Sequence, residues 1–364
     1  MDSLLQTMSS SPGNVGEQSG AHVLRLMELE PHRLVAAFAT EERLAADLLA
    51  CVDLVREEAG SGDELIARAL SGVVSGGKRL RPLLALATAY ATWIGTPGAE
   101  RAADRDRAVR AGAAVELLHL ASLVHDDVMD EAGVRHGVPT ANVRDGNIRA
   151  VLAGDFLLAR AVAVACGLGQ REGMLVSETF ARLCDGQARE SALLFDAART
   201  EPDYYDAITG KTAALLATAC RLGALAAGAG TEAAEALTSY GHHLGLAYQL
   251  VDDLLDLTGS DERLRKPAGH DVAMGVFTLP VLYAQEEHPR LAGLLGALQP
   301  EDDGTVREVV DLVKDSSALR RTRAAVDEQT RYAVGALSGA AAGLTPAGLA
   351  MLSELVACLA RRAH

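Results

Sequence analysis

From about residue 23 to the C-terminal end, apolar side chains return every three to four positions, the period of one face of an α-helix. Short clusters of Gly, Pro and acidic residues break the rhythm: GSG at 60–62, GTPG at 95–98, HGVPT at 136–140, TEPD at 200–203, GAGTE at 228–232, KPAGHD at 266–271 and QPEDDGT at 299–305. These read as helix ends and turns. Five stretches (114–131, 150–166, 174–196, 205–228 and 232–258) are apolar on more than one face, which predicts helices buried inside a larger bundle. Alternating runs of β-branched residues are scarce, so the expected fold class is all-α. Residues 1–22 are Ser/Gly-rich and weakly periodic, and read as a disordered leader. No compositional break divides 23–364, which is expected to form one large helical bundle.

Composition adds constraints. The chain of 364 residues is 49% hydrophobic but only 4% aromatic, so its core must be built from Leu, Ala and Val. A net charge of −15 without any block of Lys or Arg argues against a nucleic-acid partner. An anionic ligand would have to be met by local basic residues or bound cations. Lysine is rare, with four in all: Lys78, Lys211, Lys266 and Lys314. The five cysteines are scattered without metal-ligand spacing and read as reduced thiols. No apolar run looks uninterrupted over the width of a bilayer, so a cytoplasmic protein without a transmembrane segment is expected.

Two interruptions of the apolar pattern carry the candidate chemistry. In LLHLASLVHDDVMD, Asp126 and Asp130 lie one helical turn apart with Asp127 beside them, and His119 lies two turns upstream on nearly the same stripe. In YQLVDDLLD the same DDxxD spacing returns as Asp252, Asp253 and Asp256, with Gln249 upstream. One such triplet often decorates a solvated helix face. Two, each set in an apolar helix, place six carboxylates where they would repel one another unless cations intervene. Mg²⁺ takes carboxylate oxygens and keeps positions open for substrate phosphate, so the pattern predicts a metal-bridged diphosphate between two facing helices. Basic candidates for the same anion are Lys78 and Arg81 in SGGKRLRP, Lys211 beside Thr212 at the head of an apolar helix, and Lys266 after the second triplet. Lys78 and Arg81 could equally mark a solvated helix start. The GKT at 210–212 is not a P-loop, since Tyr205 stands where Gly is required and no strand precedes it. Adjacent His242 and His243 point in different directions on a helix and read as structural or exposed.

The ordered set GGKRLRP, LLHLASLVHDDVMD, GKT, YQLVDDLLD, KPAGHD and TLP, spanning about residues 40–285, resembles the trans-isoprenyl diphosphate synthases of the polyprenyl synthetase family. The resemblance implies an all-α fold around a deep central cavity (the isoprenoid synthase type I fold), usually as a homodimer. It also implies head-to-tail transfer of an allylic prenyl group to isopentenyl diphosphate. By the same resemblance three Mg²⁺ ions would be held by Asp126, Asp127, Asp130, Asp252, Asp253 and Asp256. Arg135, Lys211 and Lys266 would grip the allylic diphosphate, with Thr212 and Gln249 close by. Lys78, Arg81, His119 and the residue at 136 would hold isopentenyl diphosphate. Ala121 and Ser122, small residues ahead of the first triplet, imply a product of geranylgeranyl length or longer.

Two positions depart from the family pattern. His136 stands where the family carries a second arginine, and a histidine has a full charge only below a pKa of about 6.5. Val276 stands where a lysine is usual. The ionisation half of the reaction is thereby left intact while the isopentenyl site is weakened. Two alternatives follow: a terpene cyclase on a synthase scaffold, and a partner subunit of a heteromeric synthase.

Overall fold

A computed structural model describes residues 41–74, 79–93, 102–135, 137–258, 268–300 and 302–363. The leader expected at 1–22 lies outside them, as do Lys78, His136 and Lys266. The described chain is helical almost throughout, as the 3.6-residue period requires. In order the helices are α1 (Glu41–Gly60), α2 (Glu64–Leu70), α3 (Leu80–Trp93), α4 (Ala102–Met129), α5 (Ala141–Asp145), α6 (Asn147–Leu168) and α7 (Gln170–Ala192). They continue with α8 (Glu201–Ile208), α9 (Ala214–Ala226), α10 (Thr231–Thr258), α11 (His270–Ala273), α12 (Leu279–Glu287), α13 (Pro289–Ala297), α14 (Asp303–Asp315), α15 (Ala318–Ala340) and α16 (Pro346–Ala363). One departure from all-helical structure is a two-stranded antiparallel hairpin, β1 (Val134–Arg135) and β2 (Val138–Pro139). Strands of two residues are too short for any alternation in the sequence to reveal.

Poverty in aromatic residues shapes the packing. With Ala and Gly at the crossings, helix backbones approach closely. α9 lies among α3, α4 and α10, all wrapped in one continuous apolar core. A Cβ on Gly223 of α9 would lie only 2.0 Å from the Ala85 carbonyl of α3, and one on Gly241 of α10 only 2.6 Å from that of Leu216. α4 packs along α6, α10 along α15, and α16 closes over α3 and α10. The C-terminal ARRAH segment does not hang free: α16 continues through it to Ala363, whose carbonyl accepts from Arg323 Nε at 2.8 Å.

The expectation that no segment has the length and apolarity to cross a bilayer does not hold for α6, a helix of 22 residues with an 18-residue stretch of mean hydropathy 1.8. Ala150, Ala153, Leu157, Ala161 and Ala165 bury one stripe of it in the core. Ile148, Val151 and Leu152 on the other side are exposed.

Candidate active site

The two aspartate triplets stand at the C-terminal ends of α4 and α10, with Asp130 the first residue past α4. A helix C-terminus carries the negative end of the macrodipole, so these carboxylates sit where the backbone already disfavours them. They are not equivalent. Asp127 and Asp253 are buried, Asp126 and Asp256 half-buried, and Asp130 and Asp252 exposed.

After Asp130 the chain turns back at once. Glu131 takes a left-handed φ of 50°, the Ala132 N–H donates to the Asp127 carbonyl at 3.0 Å, and the hairpin brings Arg135 over the helix end. Arg135 Nε donates to Asp127 Oδ1 at 2.6 Å. Burial pushes Asp126 up to about 6, with Asp130 adding to the shift while Lys211 and Arg135 oppose it. Asp130 shifts upward for the same first reason.

Lys211 lies in an unusual turn. Between α8 and α9, residues Thr209–Ala213 form a π-helical turn, which inserts one extra residue into an otherwise continuous helix. The turn lies against α7 with almost no spacing: a Cβ on Gly186 would fall 2.4 Å from the Lys211 nitrogen, and one on Gly210 2.7 Å from the Arg182 carbonyl. Glu190, one turn beyond Gly186, thereby meets Lys211, whose Nζ donates to its carboxylate. Burial lowers the ammonium pKa, but Glu190, Asp126 and Asp130 together outweigh it and leave it raised. Lys211 and Glu190 act electrostatically on Asp126 and Asp130, and Glu190 also acts on Asp253. The pair therefore links the two triplets.

The second triplet is held differently. Tyr204 on α8 donates its hydroxyl to Asp253 Oδ2 at 2.5 Å, and Gln249 Nε2 donates to Oδ1 at 2.8 Å. Thr212 in turn donates to Gln249 Oε1 at 2.8 Å. Burial still pushes Asp253 up to about 7 despite these bonds. Asp256 accepts from the Asp271 backbone N–H at 3.2 Å, which draws in a further carboxylate. Asp271 is raised well above the ordinary range, first by burial and then by Asp256, Asp253 and Asp252. Val276 is half-buried, its N–H donating to the Asp271 carbonyl at 2.8 Å.

A third group lies upstream. Arg81, in the first turn of α3, is half-buried, and its buried Nε has no hydrogen-bond partner among the described residues. Burial lowers its pKa against the pull of Glu116 and Tyr248. Tyr248 in turn feels Arg81, Asp252 and Arg362, which places the C-terminal helix beside this end of α10. Half-buried His119 is on α4, one turn beyond Glu116, which pairs with Arg79 at 2.5 Å. His242 and His243 lie away from the triplets: His243 Nδ1 bonds Gln329 Oε1 of α15 at 2.9 Å.

Sequence reasoning missed Glu190, Tyr204 and Asp271. Asp271 closes the KPAGHD stretch, so its place after the second triplet was a usable signal. Glu190 and Tyr204 gave none.

Residues 63–313 match the polyprenyl synthetase family. The chain belongs to that family. It is 38% identical over 305 residues to a nonaprenyl diphosphate synthase of Mycobacterium tuberculosis, covering 83% of this chain and 87% of that one. It is 36% identical to a heptaprenyl diphosphate synthase component 2 of Geobacillus stearothermophilus, covering 74% and 82%. Among solved structures, a decaprenyl diphosphate synthase from Rhodobacter capsulatus superposes with a TM-score of 0.77 at 32% identity, covering 89% and 98%. A polyprenyl synthase from Caulobacter crescentus, solved with calcium and isoprenyl diphosphate, gives 0.77 at 31%, covering 96% and 100%. As a polyprenyl diphosphate synthase, the chain is an all-α enzyme whose two aspartate triplets end two core helices.

The donor set of this synthase suits divalent cations. Its hard oxygen ligands are burdened by burial, and among the described residues the cations within their reach are chiefly Lys211 and Arg135. No three His, Cys, Asp or Glu side chains among the described residues gather tightly enough to enclose an ion. The arrangement therefore suits ions shared with a ligand's phosphates rather than a closed protein cage.

Proposed function

We propose that the synthase condenses isopentenyl diphosphate with an allylic diphosphate to give a polyprenyl diphosphate of geranylgeranyl length or longer. The observation that carries this reading is the Lys211–Glu190 pair acting on both aspartate triplets in a chain of this family. Mg²⁺ held by Asp126, Asp127, Asp130, Asp252, Asp253 and Asp256 would neutralise charge on the leaving diphosphate; three ions match the six carboxylates.

The chain's own groups do the rest. Lys211 exchanges Glu190 for a diphosphate oxygen, and Arg135 holds Asp127 in one orientation. The allylic C–O bond breaks heterolytically as charge moves onto the diphosphate, which fixed donors stabilise. Buried Leu118 and Ala121 on α4 offer an apolar wall that keeps water from the allylic cation. Arg81 and His119, with Lys78, hold isopentenyl diphosphate for attack through its double bond, and the released diphosphate takes the proton. The small side chain of Ala121 leaves the growing chain room to pass, which supports a longer product. The exposed stripe of Ile148, Val151 and Leu152 on α6 fits a second copy of the chain in a homodimer.

The test is an assay of purified protein with Mg²⁺, isopentenyl diphosphate and dimethylallyl, geranyl, farnesyl or geranylgeranyl diphosphate in turn. Elongated diphosphates are expected. Hydrocarbon or alcohol released from the allylic substrate alone would instead make it a cyclase, and activity only after adding a second protein would make it a subunit.

A further inference from the structure

Among the described residues, Arg199 is a buried guanidinium that this reading leaves without work. It lies in the segment 193–200 between α7 and α8, and only 4% of its surface is exposed. Its Nε and Nη1 are buried and bond to no atom among the described residues. An unpaired buried cation is costly, and nothing about the segment forces it inward by accident. The segment is pinned at several points. Asp196 accepts from the Ala198 and Arg199 N–H groups at 2.8 and 3.1 Å, and Gln285 of α12 donates to the Ala197 carbonyl at 2.8 Å. Thr200 and Asp203 close a capping box that starts α8. The carboxylates nearest in sequence are engaged elsewhere: Glu201 accepts from the Tyr283 hydroxyl at 2.9 Å, Asp196 from the Ala198 N–H, and Asp203 is committed to the cap.

What Arg199 does face is an aromatic ring. Its guanidinium carbon stands 5.8 Å from the centroid of Tyr204, within the range of a cation–π contact. Tyr204 is fully buried, and its hydroxyl ends on Asp253 Oδ2. A cation over a phenol ring draws density from the oxygen and makes the O–H a better donor. The cation's charge is compensated by the ring face and, through the phenol, by the carboxylate.

We propose that Arg199 is a positioning residue for metal binding, acting through Tyr204 to hold Asp253 in the orientation from which it ligates. The proposal rests on the reading of Asp253 as a metal ligand. With Gln249 fixing the other oxygen, both arms of that carboxylate are set before any ion arrives.

The experiment measures the Mg²⁺ concentration needed for half-maximal stabilisation of the protein by Mg²⁺ with inorganic diphosphate, alongside the Mg²⁺ dependence of turnover. Outer partners of metal ligands commonly change affinity by about 10–100-fold. Tyr204→Phe is expected to raise the requirement about tenfold, and Arg199→Met, one contact further out, about threefold. Turnover at saturating Mg²⁺ should stay within about twofold of the parent, and Arg199→Lys should retain most of the effect. In the Tyr204→Phe background, Arg199→Met should add nothing, because the relay is already cut. Additive effects in the double variant would overturn the proposal. So would a lowered melting temperature with an unchanged Mg²⁺ requirement, which marks a purely structural arginine. Asp253→Asn separates the two readings. If it leaves the requirement unchanged, Asp253 is no ligand; if it shifts the requirement and Arg199→Met does not, the relay alone fails.

Discussion

The ends of α4 and α10 carry the same spacing of aspartates but solve the cost of burying them in opposite ways. At α4 the chain supplies charge: Arg135 returns on a hairpin to Asp127, and Lys211 stands within electrostatic reach of Asp126 and Asp130. At α10 it supplies neutral donors. Tyr204 and Gln249 orient Asp253, a backbone N–H orients Asp256, and an additional half-buried carboxyl, Asp271, adds to the crowding of carboxyl groups. The first cluster is partly compensated before any ligand arrives, although burial still holds Asp126 and Asp130 up, whereas the second is oriented and left wanting a cation. Identical motifs therefore do not imply identical demands on the metal.

The comparison can be broken most severely at α4. Asp127→Ala removes a proposed ligand and strands Arg135, and kcat/KM for the allylic substrate should fall by at least about a hundredfold in steady-state assays. Loss limited to about tenfold would mean that the ionic support of Asp127 weighs no more than a neutral outer partner commonly does. Next is Lys211→Met, which removes the link between the clusters. A drop in kcat of about a hundredfold, larger than any change in KM, is expected if Lys211 meets the leaving group as charge develops.

Acidity offers a third test. Asp126 and Asp253 titrate higher in the fold than the ordinary carboxylate, at about 6 and about 7. A group whose pKa is raised by folding stabilises the protein below its unfolded value and loses that contribution as pH rises through the folded value. With chelator present, the melting temperature should therefore fall as pH rises from about 5 to 8. Asp253→Asn should melt about 5 °C higher than the parent at pH 8, the gap closing towards pH 5. Mg²⁺ with inorganic diphosphate should reverse the parent's loss; a flat profile would show that burial is not what burdens these groups. The smallest effect is expected at the family-divergent position 136: His136→Arg should lower KM for isopentenyl diphosphate by about threefold to tenfold at pH 8.

What could be read from the sequence follows from locality. The bundle was legible because helical period is a property of neighbouring residues, and the triplets because they interrupt that period twice in the same way. Lys211 stood out through its rarity. Tyr204 and Asp253 are 49 positions apart and meet only because α8 packs beside α10, so nothing near either residue announces the bond. Glu190 looks like any acidic residue on the exposed side of α7 until the Gly186–Gly210 approach brings it to Lys211. α6 misled in the other direction: its apolar length is shared between a core stripe and an outward one, and composition alone does not tell them apart.

The π-helical turn at Thr209–Ala213 constrains how this chain can change over time. One surplus residue there winds everything ahead of it by about 100° relative to everything behind. Tyr204 lies ahead of the turn and Thr212 within it, yet both reach the same α10 network from that offset. Deleting one residue would give a smoother helix and a broken site, because the two contacts could no longer be met together. Substitutions along this stretch can accumulate singly, but a change in its length has no small first step.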